Sequence, residues 1–370
     1  MAWPLSPKPM HGKLIVHVGD HKAGSSTIQA ALARGDVSLR DARLCYPLTK
    51  GRWNQNYLSD SLRKPRPAAR ITGAPSQSFR ELSQLVREEN GDVTILSGEE
   101  LEWCSPERLR GHISRSLAPD SNALTVIAYL RPHVGRALSS LAEQIKIGWA
   151  PDNPTHLLTR QFDRFTGPLH YGPRLDRWRK AFGDAYVVRP VIRSELANGS
   201  LLEDFLTTTL GSDTFEIRPG PDANASLSVQ DLMRLHVVHM SLTRLNKWGH
   251  HALGWGLAEV MSKQVPEETR GDRIAGNRDF AEKMRATFLD DARHVDRAFL
   301  GDRKLLESEI DRAVDEAPTE VQSLHPEDWL SPTEIRDAKL LASTISFIDD
   351  GKTNWRRSIA RSRVASMLSS

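Results

Sequence analysis

The chain has 370 residues, 39% hydrophobic and 26% charged, with a formal net charge of +3. That is ample length for a core and a globular composition. The small positive surplus gives no case for duplex nucleic acid as partner, but it allows local basic pockets for small anions. Two cysteines, Cys45 and Cys104, are too few for a disulfide framework and lack metal-ligand spacing, so both read as buried thiols in a reducing compartment. The first twelve residues hold three prolines and nothing like a signal peptide. No stretch approaches the ~18–20 apolar residues that span a bilayer. The expected location is the cytoplasm.

In chain order, residues 13–18 (KLIVHV) read as a buried strand and 25–34 as the helix that follows. "RLCYP" at 43–47 is a short strand closed by Pro47. Residues 59–78, rich in Pro, Ser and Arg, read as one long loop of the kind that forms lids. A helix at 79–89 leads to a strand at 92–97. Ser105 and Pro106 then supply an N-cap and a first helical residue. "ALTVIAYL" at 123–130 is a continuous apolar run, the pattern of a central parallel strand. Helix 134–147 follows, with Val134, Leu138, Leu141 and Ile145 on one face. A fourth strand at 185–192 and a helix at 200–211, stopped by Gly211, complete the alternation. Strands alternating with helices predict a parallel sheet flanked on both faces. Beyond about residue 226 only helices are expected, at 228–247, 278–299, 303–314 and 333–348, with a linker before the last. The expected organisation is one α/β domain: a core at 12–225, a helical part at 226–315, then a linker and C-terminal helix at 316–370.

The first strand runs straight into "HVGDHKAGSSTIQ". A helix start offers unpaired backbone N–H groups and the positive end of the helix dipole, which suits an anion. Gly24 lets backbone approach a ligand, and Ser25, Ser26 and Thr27 add hydroxyls. The nucleotide-hydrolase loop is G-x-x-x-x-G-K-[ST]. Here Gly19 and Gly24 have its separation, but Ser25 stands where its lysine belongs, and no acidic strand end is placed to hold magnesium.

The loop instead resembles that of sulfotransferases using 3′-phosphoadenosine 5′-phosphosulfate (PAPS). Their pattern is a strand, P/H-K-[TS]-G-[TS]-[TS], then a helix. "HKAGSST" fits it with one departure, Ala23 in place of a hydroxyl residue. The resemblance implies that Lys22 contacts the 5′-phosphate side and the bridging oxygen, where a fixed ammonium stabilises the departing charge. It also implies a second site, for the 3′-phosphate, made by an arginine ending a strand and a serine eight residues on. Arg131 and Ser139 stand at those places. Arg131 can fork two N–H groups onto a phosphate, and a helical serine leans toward the same anion. Ser140, one place on, and Arg136, another local cation, leave alternatives to the pair. "YGPRLDRWRKAFG", "VVRPVIRSEL", "LLEDFLTTTLG" and "NASLS" read as later blocks of a bacterial, carbohydrate-type branch. The resemblance covers roughly residues 12–230. Asn224 and Ser226 are placed either to close over the nucleotide or simply to form a turn.

Sulfuryl transfer to a hydroxyl needs a base near the sulfur. Cytosolic members place a histidine just past the strand that precedes the arginine strand, and related carbohydrate sulfotransferases use a glutamate. Glu99 falls on that place, with Glu100 beside it as a charge that would raise its pKa or as a helix-start carboxylate. His21 is the rival base, and His17 reads as a core residue. On the acceptor side, Arg63, Lys64, Arg66 and Arg70 read as lid cations or as a solvated loop. Trp53, Tyr57, Trp149 and Trp178 are candidates for stacking. Residues 354–368 form a basic tail suited to peripheral contact with anionic lipid, without stable insertion. The expected activity is PAPS-dependent sulfation of a carbohydrate or glycolipid hydroxyl, with no metal. The alternatives are a nucleotide-dependent phosphotransferase and an inactive nucleotide-binding or interaction protein.

Overall fold

The computed structural model describes residues 12–63, 76–117, 119, 123–211, 214–220, 227–264, 271–348 and 355–368. Asn224, Ser226, Lys64, Arg66 and Arg70 lie outside the described residues.

A five-stranded parallel sheet forms the centre, in the order β3-β4-β1-β5-β6. Its strands are β1 (Lys13–His17), β3 (Leu44–Cys45), β4 (Val93–Ser97), β5 (Leu124–Leu130) and β6 (Tyr186–Pro190). A small antiparallel pair joins β2 (Val37–Leu39) to β7 (Phe215–Ile217). The sequence reading missed both, since three-residue strands carry almost no periodicity.

The helices are α1 (Ser25–Arg34), α2 (Leu58–Arg63), α3 (Gln77–Glu89), α4 (Pro106–Ser116), α5 (His133–Lys146), α6 (Phe162–Thr166), α7 (Tyr171–Phe182), α8 (Leu201–Leu210), α9 (Val229–Ser241), α10 (Lys247–Gln264), α11 (Arg278–Phe299), α12 (Leu305–Asp315), α13 (Pro332–Ile348) and α14 (Trp355–Leu368). The stretch expected as one loop at 59–78 therefore has helical ends.

Alternation along β1 sorts the core into layers. Ile15 faces Ile28 and Leu32 of α1 and Phe205 and Leu206 of α8. Leu14 and Val16 face the opposite layer, where α3, α4, α7 and α11 contribute Phe79, Ile113, Trp178 and Phe288. Leu14, Ile15 and Val16 are wholly buried, and each such side chain contributes about 1.5–3 kcal/mol. A satellite core joins Leu141 and Ile145 of α5 to Leu232 of α9 and Ala342 of α13. Cys45 and Cys104 are buried free thiols. Among the described residues, no helix is long and apolar enough to cross a membrane.

Between β4 and β5 the chain crosses from one side of β1 to the other. In open α/β sheets such a switch point leaves a crevice at the carboxyl ends of the strands. The segments that leave β1, β4 and β5 there carry Lys22, Glu99 and Arg131.

Candidate active site

Register explains why these segments meet. His17 pairs with Ile127, so β5 continues past the end of β1. The chain beyond β1 follows it: Val18 N–H donates to Ile127 O, Tyr129 N–H to Gly19 O, and Asp20 N–H to Tyr129 O. The loop then turns into α1 through Gly24 at φ 84°. A Cβ at this position would stand 2.4 Å from Leu201 Cδ2, so both backbone and space require glycine. Thr27 N–H donates to Gly24 O, whereas the N–H groups of Gly24, Ser25 and Ser26 find no backbone acceptor among the described residues. This is the open donor set of a helix start. Ser25 is buried and donates its hydroxyl back to Asp20 O, while Ser26 and Thr27 are half-buried. Ala23 is buried in the α1 core, so its side chain faces away from any ligand.

Beneath the loop lies an ionic cluster that the sequence reading missed. Asp20 is fully buried and receives both ends of the Arg174 guanidinium at 2.6 Å, plus Arg136 at 3.0 Å. Arg136 also donates to Glu102 at 3.1 Å, and Glu102 accepts from the His21 backbone and ring at 2.8 and 2.7 Å. Burial alone would raise the Glu102 pKa, but Arg174, Arg136 and His21 hold it well below the usual carboxylate range. Arg136, expected only as another local cation near Arg131, is an anchor of the loop. These partners lie up to 154 positions apart, so no local pattern marks them.

His21 is half-buried, with Nδ1 on Glu102 and Nε2 3.3 Å from Glu100. Burial opposes its charge, but the two carboxylates outweigh burial and raise its pKa to about 9. At neutral pH it is an imidazolium whose ring nitrogens both face carboxylates, a poor proton acceptor. Its folded pKa exceeds the unfolded value of 6.5, so its stabilisation is complete below that pH and disappears as pH rises through about 9. From about pH 6 to about pH 9, thermal melts of the wild type should lose several degrees more than those of His21→Gln; parallel curves would show the ring uncharged throughout.

Arg131 leaves β5 and extends its Nη1 to 3.4 Å from Lys22 O. Two features aim it. Tyr171 donates its hydroxyl to Arg131 O at 2.8 Å, and a Cβ at Gly135 would stand 3.4 Å from Arg131 Nε, so the bare helix turn leaves the side chain room. Burial lowers the Arg131 pKa; Tyr171 works against that, and Arg273 and Arg136 add to it. Arg131 is half-buried, and a guanidinium set among other cations has surroundings that suit an anion. Ser139 sits in the second turn of α5, half-buried.

Glu99 opens a short 3-10 turn, Glu99–Trp103, just after β4. Its oxygens accept from Gln29 Nε2 at 2.9 Å and Asn56 Nδ2 at 3.2 Å. Gln29 is itself oriented by Asn54, which donates to its Oε1 at 3.1 Å. Neutral amides thus fix this carboxylate while leaving it lone pairs for a proton. Glu100 plays a different part from the one expected of a charge beside Glu99. It pairs with Arg63 at 2.6 Å and with His21, and its pKa is lowered first by the His21 bond.

Lys22, with φ 62°, places Nζ 2.7 Å from Glu143 of α5. Glu143 also holds Lys146 at 2.5 Å. Burial lowers the Lys146 pKa to about 7, with Glu143 working against the fall. Burial would raise that of Glu143, but Lys146 and Lys22 hold it at about 2. Glu143 and Lys146 lie four and seven places after Ser139, on a helix whose polar face was legible though its partner was not.

Of the aromatic candidates, Trp178 is 1% exposed and stacked between Phe182 and Tyr186, a core residue. Trp149 donates to Lys247 O and Tyr57 lies under Arg52. His17 is buried, bonded to Ser97, and lowered by burial to a pKa of about 4, in keeping with a core histidine. No protein-family model matches this chain, and no curated protein matches it.

Proposed function

We propose that the protein is a sulfotransferase that moves a sulfuryl group from PAPS to a hydroxyl of a carbohydrate or glycolipid. The observation that carries this reading is the approach of the Arg131 guanidinium to the Lys22 carbonyl, 3.4 Å; a cation this close to the helix-start loop supports one adenosine bisphosphate reaching both. The open N–H groups at the start of α1 suit the 5′-phosphosulfate, and Arg131 with Ser139 suits the 3′-phosphate.

In the transfer, the acceptor oxygen attacks sulfur in line with the bond to the bridging oxygen. That bond breaks, and its electron pair leaves on the 5′-phosphate of the desulfo product. Lys22 stabilises this charge, for which its ammonium must turn from Glu143 toward the ligand. Glu99 takes the acceptor proton.

Calorimetry with 3′-phosphoadenosine 5′-phosphate (PAP) and with AMP tests the assignment. The wild type should prefer PAP, and Arg131→Ala should weaken PAP about 10–100-fold while leaving AMP nearly unchanged. No preference for the 3′-phosphate, or magnesium-dependent turnover of ATP, would overturn it in favour of a phosphotransferase.

A further inference from the structure

The basic tail at the C-terminus is α14, packed against α10 and α1. Close backbone contacts bring it in. A Cβ at Gly254 would stand 2.0 Å from Lys146 O, so α10 crosses the end of α5 with backbones touching. The next residue, Trp255, then lies with its ring centroid 3.2 Å from Lys146 Nζ. A Cβ at Gly256 would meet Ile359 of α14 at 3.1 Å. One helical turn beyond Ile359, Arg363 sets its guanidinium 3.5 Å from the Trp255 centroid and 5.8 Å from that of Trp53.

Each indole connects to a different carboxylate of the candidate site. Trp255 covers Lys146, which shares Glu143 with Lys22. Trp53 precedes Asn54, which orients Gln29, which in turn holds Glu99. Arg363 therefore stands between the residue proposed to stabilise the leaving group and the residue proposed to take the proton. A long cationic side chain at a helix contact ordinarily carries its head to water. Here the residue is half-buried, and Nε is buried without a hydrogen-bond partner, a donor whose desolvation is uncompensated. Burial disfavours its charge, while Glu143, Glu99 and Glu259 favour it.

We propose that Arg363 is a donor-site residue whose guanidinium takes the outer sulfonate oxygens of bound PAPS, so that the C-terminal helix completes the site. The proposal rests on the sulfotransferase reading. Arg363 moves no proton and forms no bond to sulfur. Its paired N–H donors match oxygens that remain negative throughout transfer, and the two indole faces hold the fork in place.

PAP lacks the sulfonate, so the ratio of PAPS to PAP affinity isolates this contact from general damage. On the full chain, Arg363→Gln should weaken PAPS about tenfold or more and PAP less than about twofold. Arg363→Lys, which keeps charge but loses the fork, should fall between. Equal losses for both nucleotides, or none, would make Arg363 a packing residue and overturn the proposal. If Arg363→Gln does not fold, Arg363→Lys decides: an unchanged ratio overturns the proposal, a reduced one supports it. A wild type that binds neither nucleotide would instead sink the sulfotransferase reading, and this proposal with it.

Discussion

Replacing Arg136 by alanine is expected to destabilise the protein by about 3–5 kcal/mol, the usual effect of removing one partner from a buried ion pair. Asp20 and Glu102 are both fully or nearly fully buried, and Arg136 is the side chain that donates to each of them. Without it, Asp20 keeps the fork of Arg174, but Glu102 is left with His21 and a longer approach of Arg174 at 3.4 Å. Two carboxylates would then share too little positive charge in a place water does not reach, and desolvation dominates. Urea denaturation measures the loss. A change under about 1 kcal/mol would mean that solvent enters and screens the cluster. The loop that begins at Gly19 is tied to this cluster through Asp20 and His21, so PAP affinity should fall with stability.

Glu99→Gln should reduce sulfuryl transfer by about 10²–10⁴-fold, the span associated with loss of a general base. The fold should survive. The new amide keeps one carbonyl to accept from Gln29 or Asn56 but turns an NH2 toward the other donor, a loss of about 1 kcal/mol. Transfer of labelled sulfate from PAPS to glycan and lipid fractions gives the rate, and PAP calorimetry shows whether the donor site is intact. Full activity with intact binding would remove Glu99 from the mechanism. His21 would not take its place, because the carboxylates on both ring nitrogens keep it protonated at neutral pH.

What the sequence made legible was local. The β1–α1 junction could be read because an apolar run, a glycine and hydroxyl residues sit within twenty positions, and the helix at Pro106–Ser116 begins where Ser105 accepts from Arg108 N–H. The β5–α5 junction was equally plain, and with it Arg131 and Ser139. Illegible were the relations between distant segments. Nothing near Asp20 announces Arg174, and nothing near Lys22 announces Glu143, because an ion pair has no spacing rule outside a single helix. Helix α10 escaped because its residues, KWGHHALGWGLAEVMSKQ, carry three glycines and little amphipathic period. Two of those glycines, Gly254 and Gly256, are what let it lie against α5 and α14, so the feature that hid the helix is the one that places Trp255. Arg363 read as tail charge for the same reason: a residue's distance along the chain says nothing about its depth.

The sharing of Glu143 between Lys22 and Lys146 would make capture of the proposed donor sensitive to acidity. Lys146 has a pKa of about 7, so near neutrality it holds its proton only part of the time. Any anion that draws Lys22 away from Glu143 adds negative potential beside Lys146 and frees its carboxylate partner, and both effects favour protonation. Occupation of the proposed site would then be accompanied by uptake of hydrogen ions from the medium. Mild acid supplies them in advance, whereas in alkali each incoming molecule must recruit them as it binds.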